Sequence, residues 1–392
     1  MLTLVSALWA RPARSEEAPV DPTDVEVHAF VSQGVIKTSQ NNYLAQSKRG
    51  SFDFTEVGIN FTSNLSEKLR LGVQLFAHDL GPLGNYTPTF DWYYLDYRYS
   101  DWLGIRAGRT KIPFGLYNDS ADIDAARVPI LLPQSVYPID HRDYLLAQTG
   151  GELYGNVGLG KAGGLEYRGY GGTISLGTPA PPAPGITVEK LEMPYVYGGR
   201  ALWSTPLEGL TAAGSYQALR FDSEYHIAPA LIPILQSVNL LPAGFTGVLP
   251  SQFRVKLWVA SLEYQSGDLL VAAEYSRWIG KFNSQAPALL PPHIVNERYY
   301  GMVSYHVTPW FTPGAYYSVY YPDIDKRSAK QNFQRDLALS VRFDVTPNWL
   351  VKLEGHLMHG TAALEPALND RKEPKDLAKY WGAYLLKTTA YF

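Results

Sequence analysis

The chain has 392 residues, with 34 Lys and Arg against 37 Asp and Glu, a net charge of −3 and no cysteine. Near-neutral charge leaves no basic excess for nucleic acid, and the missing cysteine excludes disulfides, thiolate metal sites and a cysteine nucleophile. Charged residues are only 18% while there are 28 tyrosines and 9 tryptophans, a composition poorer in charge than the roughly 25% of soluble domains, yet no run of about 20 apolar residues marks a membrane helix.

The N-terminal stretch has an apolar run from Leu2 to Ala10 followed by small and charged residues. It resembles the end of a secretory signal peptide without its basic front. Residues 1–20 are therefore expected to be a targeting remnant, as though the natural start lay upstream, and residues 21–392 a single domain.

From Val25 the sequence alternates apolar and polar residues with period two, the signature of strands. A first strand is predicted at Val25–Val35. Tight turns rich in Gly, Pro, Asn, Asp and Ser then recur at Thr62–Leu69, Ser100–Gly104, Gly158–Gly164, Ser204–Leu210, Gln265–Leu269, Val307–Phe311 and Val345–Trp349. A last strand is predicted at Lys379–Phe392. Between the pairs lie longer connections near residues 37–50, 79–89, 111–150, 177–193, 222–252, 280–296, 322–334 and 360–378. The most apolar of these, Ala228 to Pro250, is broken by proline and by Gln, Ser and Asn, and reads as loop.

Seven turns and two flanking strands make sixteen strands of about ten residues, longer than the 5–6 of a soluble sandwich. Short turns at one end and long loops at the other describe an all-β, transmembrane antiparallel barrel with short periplasmic turns and long extracellular loops. Trp102, Trp310, Trp349 and Phe392 fall at strand ends, where interfacial girdles belong. Faces separate cleanly in two strands. Leu337, Leu339, Val341 and Phe343 oppose Asp336, Ser340, Arg342 and Asp344, and Trp349, Val351, Leu353 and Leu357 oppose Lys352, Glu354 and His356.

In hydrocarbon every backbone group must be paired, so a sheet spans a membrane only by closing on itself. Polar side chains then point to water inside. Arg70, Arg98, Arg106, Arg168, Arg200, Arg298, Arg342, Lys352 and Lys387 fall opposite their strands' apolar sets, as do Glu56, Asp96, Glu152, Glu166, Glu274, Asp336, Asp344 and Glu354. Placing Arg254 and Lys256 inside would turn Trp258 and Leu262 inside as well. The chain ends on Phe392 after an alternating strand, which resembles the signal read by the bacterial barrel-assembly machinery.

The segment Ile105 to Asp119, "IRAGRTKIPFGLYND", starts as a strand with Arg106 toward the lumen and leaves the wall at Pro113, which cannot donate to a ladder. The connection that follows, about 111–150, is the longest. A short helix is predicted after Ser120, ending before Pro129. Third loops of barrels this size commonly fold into the lumen. This one carries Asp119, Asp122, Asp124, Asp140 and Asp143 against Lys111, Arg127 and Arg142, and would set a transverse field across a constriction.

The same segment closely resembles members of the phosphate-selective porin O and P family over Arg106 to Tyr117, and more loosely from Val25 to about Tyr154 and over the final strand. The resemblance implies a sixteen-stranded homotrimer in the Gram-negative outer membrane, in contact with membrane lipid and lipopolysaccharide, for passive diffusion of small hydrophilic solutes. Anions such as phosphate are the best-known substrates, with dicarboxylates in related branches. Carried over, Arg106, Arg109 and Lys111 become pore residues, although regular alternation puts Arg106 and Arg109 on opposite faces. The mixed lumen departs from the dense arginine and lysine ladders of the phosphate-specific members.

No cofactor or metal is expected. "GLGKAG" (Gly158 to Gly163) joins two strands without the helix a dinucleotide site needs. His356 and His359 point to opposite faces of a strand. An alternative solute class, apolar or sugar-like, is suggested by the greasy segment at 228–250, and a further alternative is an outer-membrane hydrolase, for which no Ser-centred elbow is present.

Overall fold

The computed structural model describes residues 24–176, 184–286, 292–370 and 372–392. The expected targeting remnant and most of the proline-rich stretch Thr178 to Gly185 lie outside them. The first half of the wall is β1 (Val25–Thr38), β2 (Thr55–Ser66), β3 (Leu69–Asp79), β4 (Thr89–Ser100), β5 (Leu103–Lys111), β6 (Ala147–Gly158), β7 (Gly164–Ile174) and β8 (Ile186–Ser204). The second half is β9 (Leu210–Ile227), β10 (Val248–Ser266), β11 (Leu269–Ser284), β12 (His293–Tyr305), β13 (Phe311–Tyr321), β14 (Gln334–Thr346), β15 (Trp349–Gly360) and β16 (Tyr380–Tyr391). Each strand pairs antiparallel with the next, and β16 pairs with β1 from Phe30↔Tyr391 to Thr38↔Ala383, closing the barrel.

Burial is inverted relative to a water-soluble protein. Leu353 and Leu357 are 46% and 64% exposed, while Lys352 and His356, each next to one of them on the opposite face, are almost completely buried. Apolar side chains face outward because lipid is their solvent, and charged ones face each other across the lumen. The faces of β14 and β15 follow the alternation read from the sequence. Trp102, Trp310, Trp349 and Phe392 are exposed at the short-turn rim.

Three features depart from the sequence reading. Strands β8 to β11 run for 16 to 19 residues, so the ends of the predicted loop 222–252 belong to the wall. What remains, residues 228–247, includes a helical turn, α2 (Ile232–Ser237), with Ile232 and Leu235 packed against Ile227, Leu241 and Leu249. The helix expected after Ser120 is replaced by two 3-10 turns, Asn118–Ser120 and Asp124–Ala126, and the segment's α-helical turn, α1 (Arg142–Leu145), comes later. Finally, the lumen is not polar all round. Val255, Leu257 and Val259 face inward on β10, with Met193, Val196, Leu219, Trp278 and Tyr300 on neighbouring strands, in one buried apolar cluster. That phasing turns Arg254, Lys256, Trp258 and Leu262 outward. An apolar inner wall is stable here because it packs against protein, not water.

Leu353 sits mid-strand on the lipid face. Leu353→Arg is expected to lower folding stability by about 2–4 kcal/mol if it lies at the bilayer midplane, whereas Ser340→Ala, facing the lumen, should cost less. Equilibrium folding into lipid vesicles measures both.

Candidate functional site

The segment between β5 and β6 leaves the wall and fills much of the lumen. Its base is pinned twice. The amide of Ile112 donates to the Leu146 carbonyl at 2.8 Å, and Asn118 Nδ2 donates to the carbonyls of Ile112 and Leu145, both at 2.8 Å. Between these points Pro113 removes the donor that would have continued β5. Gly115 follows at φ +59, where an added Cβ would collide with the Tyr137 hydroxyl; only glycine fits this turn comfortably.

Apolar packing holds one side of the insert. Phe114, Leu132, Val136 and Tyr137 enter the cluster formed by Val196, Leu219, Leu257, Trp278 and Tyr300 of the inner wall, with Phe114 edge-on to Tyr137 and Trp278 at 6.4 and 6.5 Å. Two wall carboxylates then satisfy backbone donors that leave the ladder. Glu274 accepts from the Leu116 amide at 2.9 Å, from Ser261 at 2.5 Å, from Tyr300 at 2.8 Å and from Tyr137. Glu354 accepts from the consecutive amides of Ile130 and Leu131 at 2.7 and 3.0 Å and from Ser340 at 2.6 Å. Without these acceptors the buried amides would each carry a desolvation cost of about 1–3 kcal/mol.

Charge ties down the other two sides. Against β4 to β8, Arg106 bridges Asp96 (2.9 Å) and Glu152 (3.0 Å), Arg168 bridges Glu152 and Asp119 (both 2.7 Å), and Arg200 bridges Asp119 and Glu166 (both 3.0 Å). Lys111 reaches Asp122 at 2.9 Å, and Arg142 reaches Asp91 at 2.7 Å and Asp122 at 3.0 Å. Against β14 to β16, Asp124 meets Lys352 at 2.9 Å and Lys387 at 3.5 Å, and Lys387 also meets Glu56 of β2 at 2.5 Å. His356 lies between Asp336 and Glu354, 3.0 Å from each.

Burial alone would disfavour the ionised form of Asp124, but Lys352, Lys387 and Arg127 override it and hold the carboxyl well below the usual range. Asp122, facing Arg142 and Lys111, and Asp119, facing Arg168 and Arg200, are lowered against the same opposition from burial.

The insert leaves a gap of about 70 Å³ on its free flank, lined by Phe54, Glu56, Phe76, Asp122, Arg127, Arg142 and Lys387 among others. This is room for several waters.

The residues singled out from sequence are thus distributed unevenly. Arg106, Lys111, Asp119, Asp122, Arg168 and Arg200 form the first ionic cluster, and Asp124, Lys352 and Glu354 belong to the second. Arg342 pairs with Asp344 at 2.7 Å and donates to the carbonyl of Ala125. Arg298 is stacked between Trp278 (3.7 Å) and Tyr320 (4.2 Å) and donates to Ser135 at 2.9 Å. Arg70 and Arg98 lie at the short-turn rim, 47% and 59% exposed, beside Glu26 and Asp101. Arg109 is turned away from this cluster. It pairs in register with Tyr93 and Thr149, both exposed, and its Nε donates to the Asp91 carbonyl at 2.9 Å.

Asp91 and Tyr137 were not evident from sequence. Asp91 turns inward at a register shift in β4, within an aromatic run that masks it. Among the described residues no group of three or more His, Cys, Asp or Glu is placed to hold a metal ion.

No family model matches the chain, and no curated protein matches it in sequence. Its fold is similar to solved outer-membrane proteins. OmpT of Vibrio cholerae aligns at TM-score 0.60 and 10% identity over 95% of this chain and 100% of its own, and has also been solved in a trimer form. The anion-selective porin of Comamonas acidovorans aligns at TM-score 0.56 and 11% identity, covering 94% and 99%. The outer-membrane channel DcaP of Acinetobacter baumannii aligns at TM-score 0.56 and 12% identity, covering 94% and 97%. The chain has the sixteen-strand fold of outer-membrane porins.

Glu354→Ala should release the 130–131 amides and loosen the insert, seen as a larger and noisier single-channel conductance, while Glu354→Gln, which keeps an acceptor, should change less. Because the native pKa values of Asp119, Asp122 and Asp124 lie below the ordinary value of about 3.9, their contribution is present above that pH and lost as pH falls through the native values. Conductance is therefore expected to hold steady from neutral pH down to about 4 and to rise below it.

Proposed function

We propose that the protein is a porin of the bacterial outer membrane, giving passive diffusion of small hydrophilic solutes with a preference for anions. The single observation that carries the preference is the gap beside the insert, whose lining includes Arg127, Arg142 and Lys387 against Asp122 and Glu56, three cations to two carboxylates. A solute crossing there meets oriented charge in a low-dielectric surround, which filters by sign. Nothing in the cycle requires energy coupling.

The resemblance to the phosphate-selective family supports anion passage in general, with phosphate or dicarboxylates as candidate solutes. The basic residues it points to argue for a mild selectivity. Arg106 and Lys111 are each matched by carboxylates, as are Arg142 and Lys387 beside the gap, so each offers a phosphate little unspent charge. A homotrimer, secretion through a signal peptide and assembly by the barrel machinery through Phe392 belong to the same proposal; the trimer form of OmpT is in keeping with it.

A second reading has one observation in its favour. Phe221, Phe253 and Phe282 are neighbours in register on the inner face of β9 to β11, with rings 6.1 and 3.9 Å apart. Such a row suits solutes with a flat apolar face, sugars included. The hydrolase reading has no comparable support: Ser340 donates to Glu354, and His356 has both ring nitrogens against carboxylates.

Reversal potentials in a salt gradient test the main reading. The wild type should favour anions. Arg127→Glu and Lys387→Glu should each shift the potential toward cations, and Arg109→Glu, on the outer face, should not. Cation preference in the wild type would overturn the proposal, and block by a neutral sugar but not by phosphate or a dicarboxylate would favour the second reading.

A further inference from the structure

The outer face of the barrel is not uniformly apolar. On β16, β1 and β2 the outward residues include Val27, Val31, Val57, Tyr384 and Leu386, and the one outward ion among them is Lys37, near the long-loop rim. On β9 to β11 a row of cations lies side by side. Arg220 pairs in register with Arg254, and Arg254 with Lys281; the row continues to Tyr195 on one side and His293 on the other. Lys256 is two residues from Arg254 on the same face.

Like charges directly opposite one another on a sheet are destabilising. Arg220 is compensated by Asp222 at 2.7 Å. Arg277, nearer the short turns, is compensated by Glu297 at 3.3 Å, and Arg327 shares that carboxylate at 2.8 Å. Arg254, Lys256 and Lys281 are exposed and have no carboxylate partner among the described residues. The undescribed stretches that adjoin these strands, 177–183 and 287–291, carry no charge. Further toward the loops, Lys190 with Glu192 and His226 with Glu189 alternate in sign. The uncompensated charge is therefore confined to one level.

That level can be placed. From the short turn at Ser266 to Arg254 there are about a dozen residues of β10, and from Leu269 to Lys281 as many of β11. At about 3.4 Å per residue and a tilt near 40°, they sit roughly 30 Å above the short-turn rim, just past an apolar band about 25 Å tall. An aromatic row lies just inside: Trp258 is in register with Tyr216 and Arg277, and its ring is 5.5 Å from that of Tyr275. Aromatics of this kind mark the interface.

We propose that Arg254, Lys256 and Lys281 form a docking site for a phosphate-bearing lipid headgroup of the leaflet on the long-loop side. This rests on the reading of the chain as an outer-membrane barrel. The charge complement is direct: three free cations, closely spaced, at the depth where headgroup phosphates lie, beside an aromatic shelf for acyl chains. An anionic headgroup there removes the repulsion within the row.

The test uses the purified full chain in detergent, exchanged into nanodiscs of zwitterionic lipid with trace bis-phosphorylated lipid A, its dephosphorylated counterpart, or free inorganic phosphate. Retained ligand is read by native mass spectrometry. The wild type should retain lipid A in preference to the dephosphorylated form, and Arg254→Ala/Lys256→Ala/Lys281→Ala should lower retention roughly a hundred-fold. Lys37→Ala with Lys68→Ala, removing cations elsewhere, should leave it unchanged. Equal retention by the triple variant, or equal retention of dephosphorylated lipid, would overturn the site. So would a triple variant that keeps its lipid but loses its oligomeric state, since the row would then be a contact between copies. Binding of free phosphate without lipid A would likewise overturn it. Single-channel currents, recorded on the same wild-type sample, report separately on the porin reading: their presence alongside failed lipid retention condemns only the site.

Discussion

The whole molecule depends on one demand, that backbone N–H and C=O groups surrounded by hydrocarbon find partners within the protein. Antiparallel ladders meet it along each strand, and the pairing of β16 with β1 meets it around the ring. Once the ring is closed, side-chain polarity is dictated by direction. Outward positions take Leu, Val and aromatic residues, and inward positions are free to hold ions. The same demand reappears inside. Where residues 112–146 leave the ladder, Glu274 and Glu354 stand in for the missing strand by accepting the amides of Leu116, Ile130 and Leu131.

The lumen divides by the nature of its contact with that insert. On the β8 to β12 side the contact is apolar, and Phe114, Val136 and Tyr137 pack against Leu257, Trp278 and Tyr300. On the flanks it is ionic. Buried ion pairs carry a large desolvation cost and are weak sources of net stability, but removing one partner is severe. They therefore fix where the insert sits more than they strengthen it. The position of the insert in turn sets which charged side chains border the remaining gap.

Much of the fold was legible because barrel strands repeat one simple rule. Period-two alternation and Gly- and Pro-rich turns suffice to count sixteen strands, and they phase Lys352, Glu354 and Arg342 correctly. What was not legible has physical causes. Alternation indicates which face a residue is on but not what fills that face. The inward Val255, Leu257 and Val259 look like a lipid-facing set until an apolar partner inside the barrel is known, and Arg254 and Lys256 look like pore residues for the same reason. At Arg109 resemblance favoured the pore while periodicity favoured the outer face, and its register partners Tyr93 and Thr149 are exposed; Lys111, in the same phase, nevertheless reaches the lumenal carboxylates at the end of the strand. Asp91 was invisible because a register shift, which no composition signal announces, turns it inward. The long strands β8 to β11 rise beyond the apolar band, where lipid no longer enforces alternation and the strand signal fades.

The ion bridges from Asp124 run to Lys352 and Lys387, and Lys387 runs on to Glu56. Lys352 and Lys387 come from the last two strands and Glu56 from the second, so the chain of bridges crosses the β1–β16 join. Ile130 and Leu131 of the insert share one apolar cluster with Ile36 of β1 and Leu385 of β16, so the insert touches both banks of the join, like a keystone. The closing strands thus carry the side chains that anchor the insert, so the wall's completion and the bore's stopper draw on the same residues.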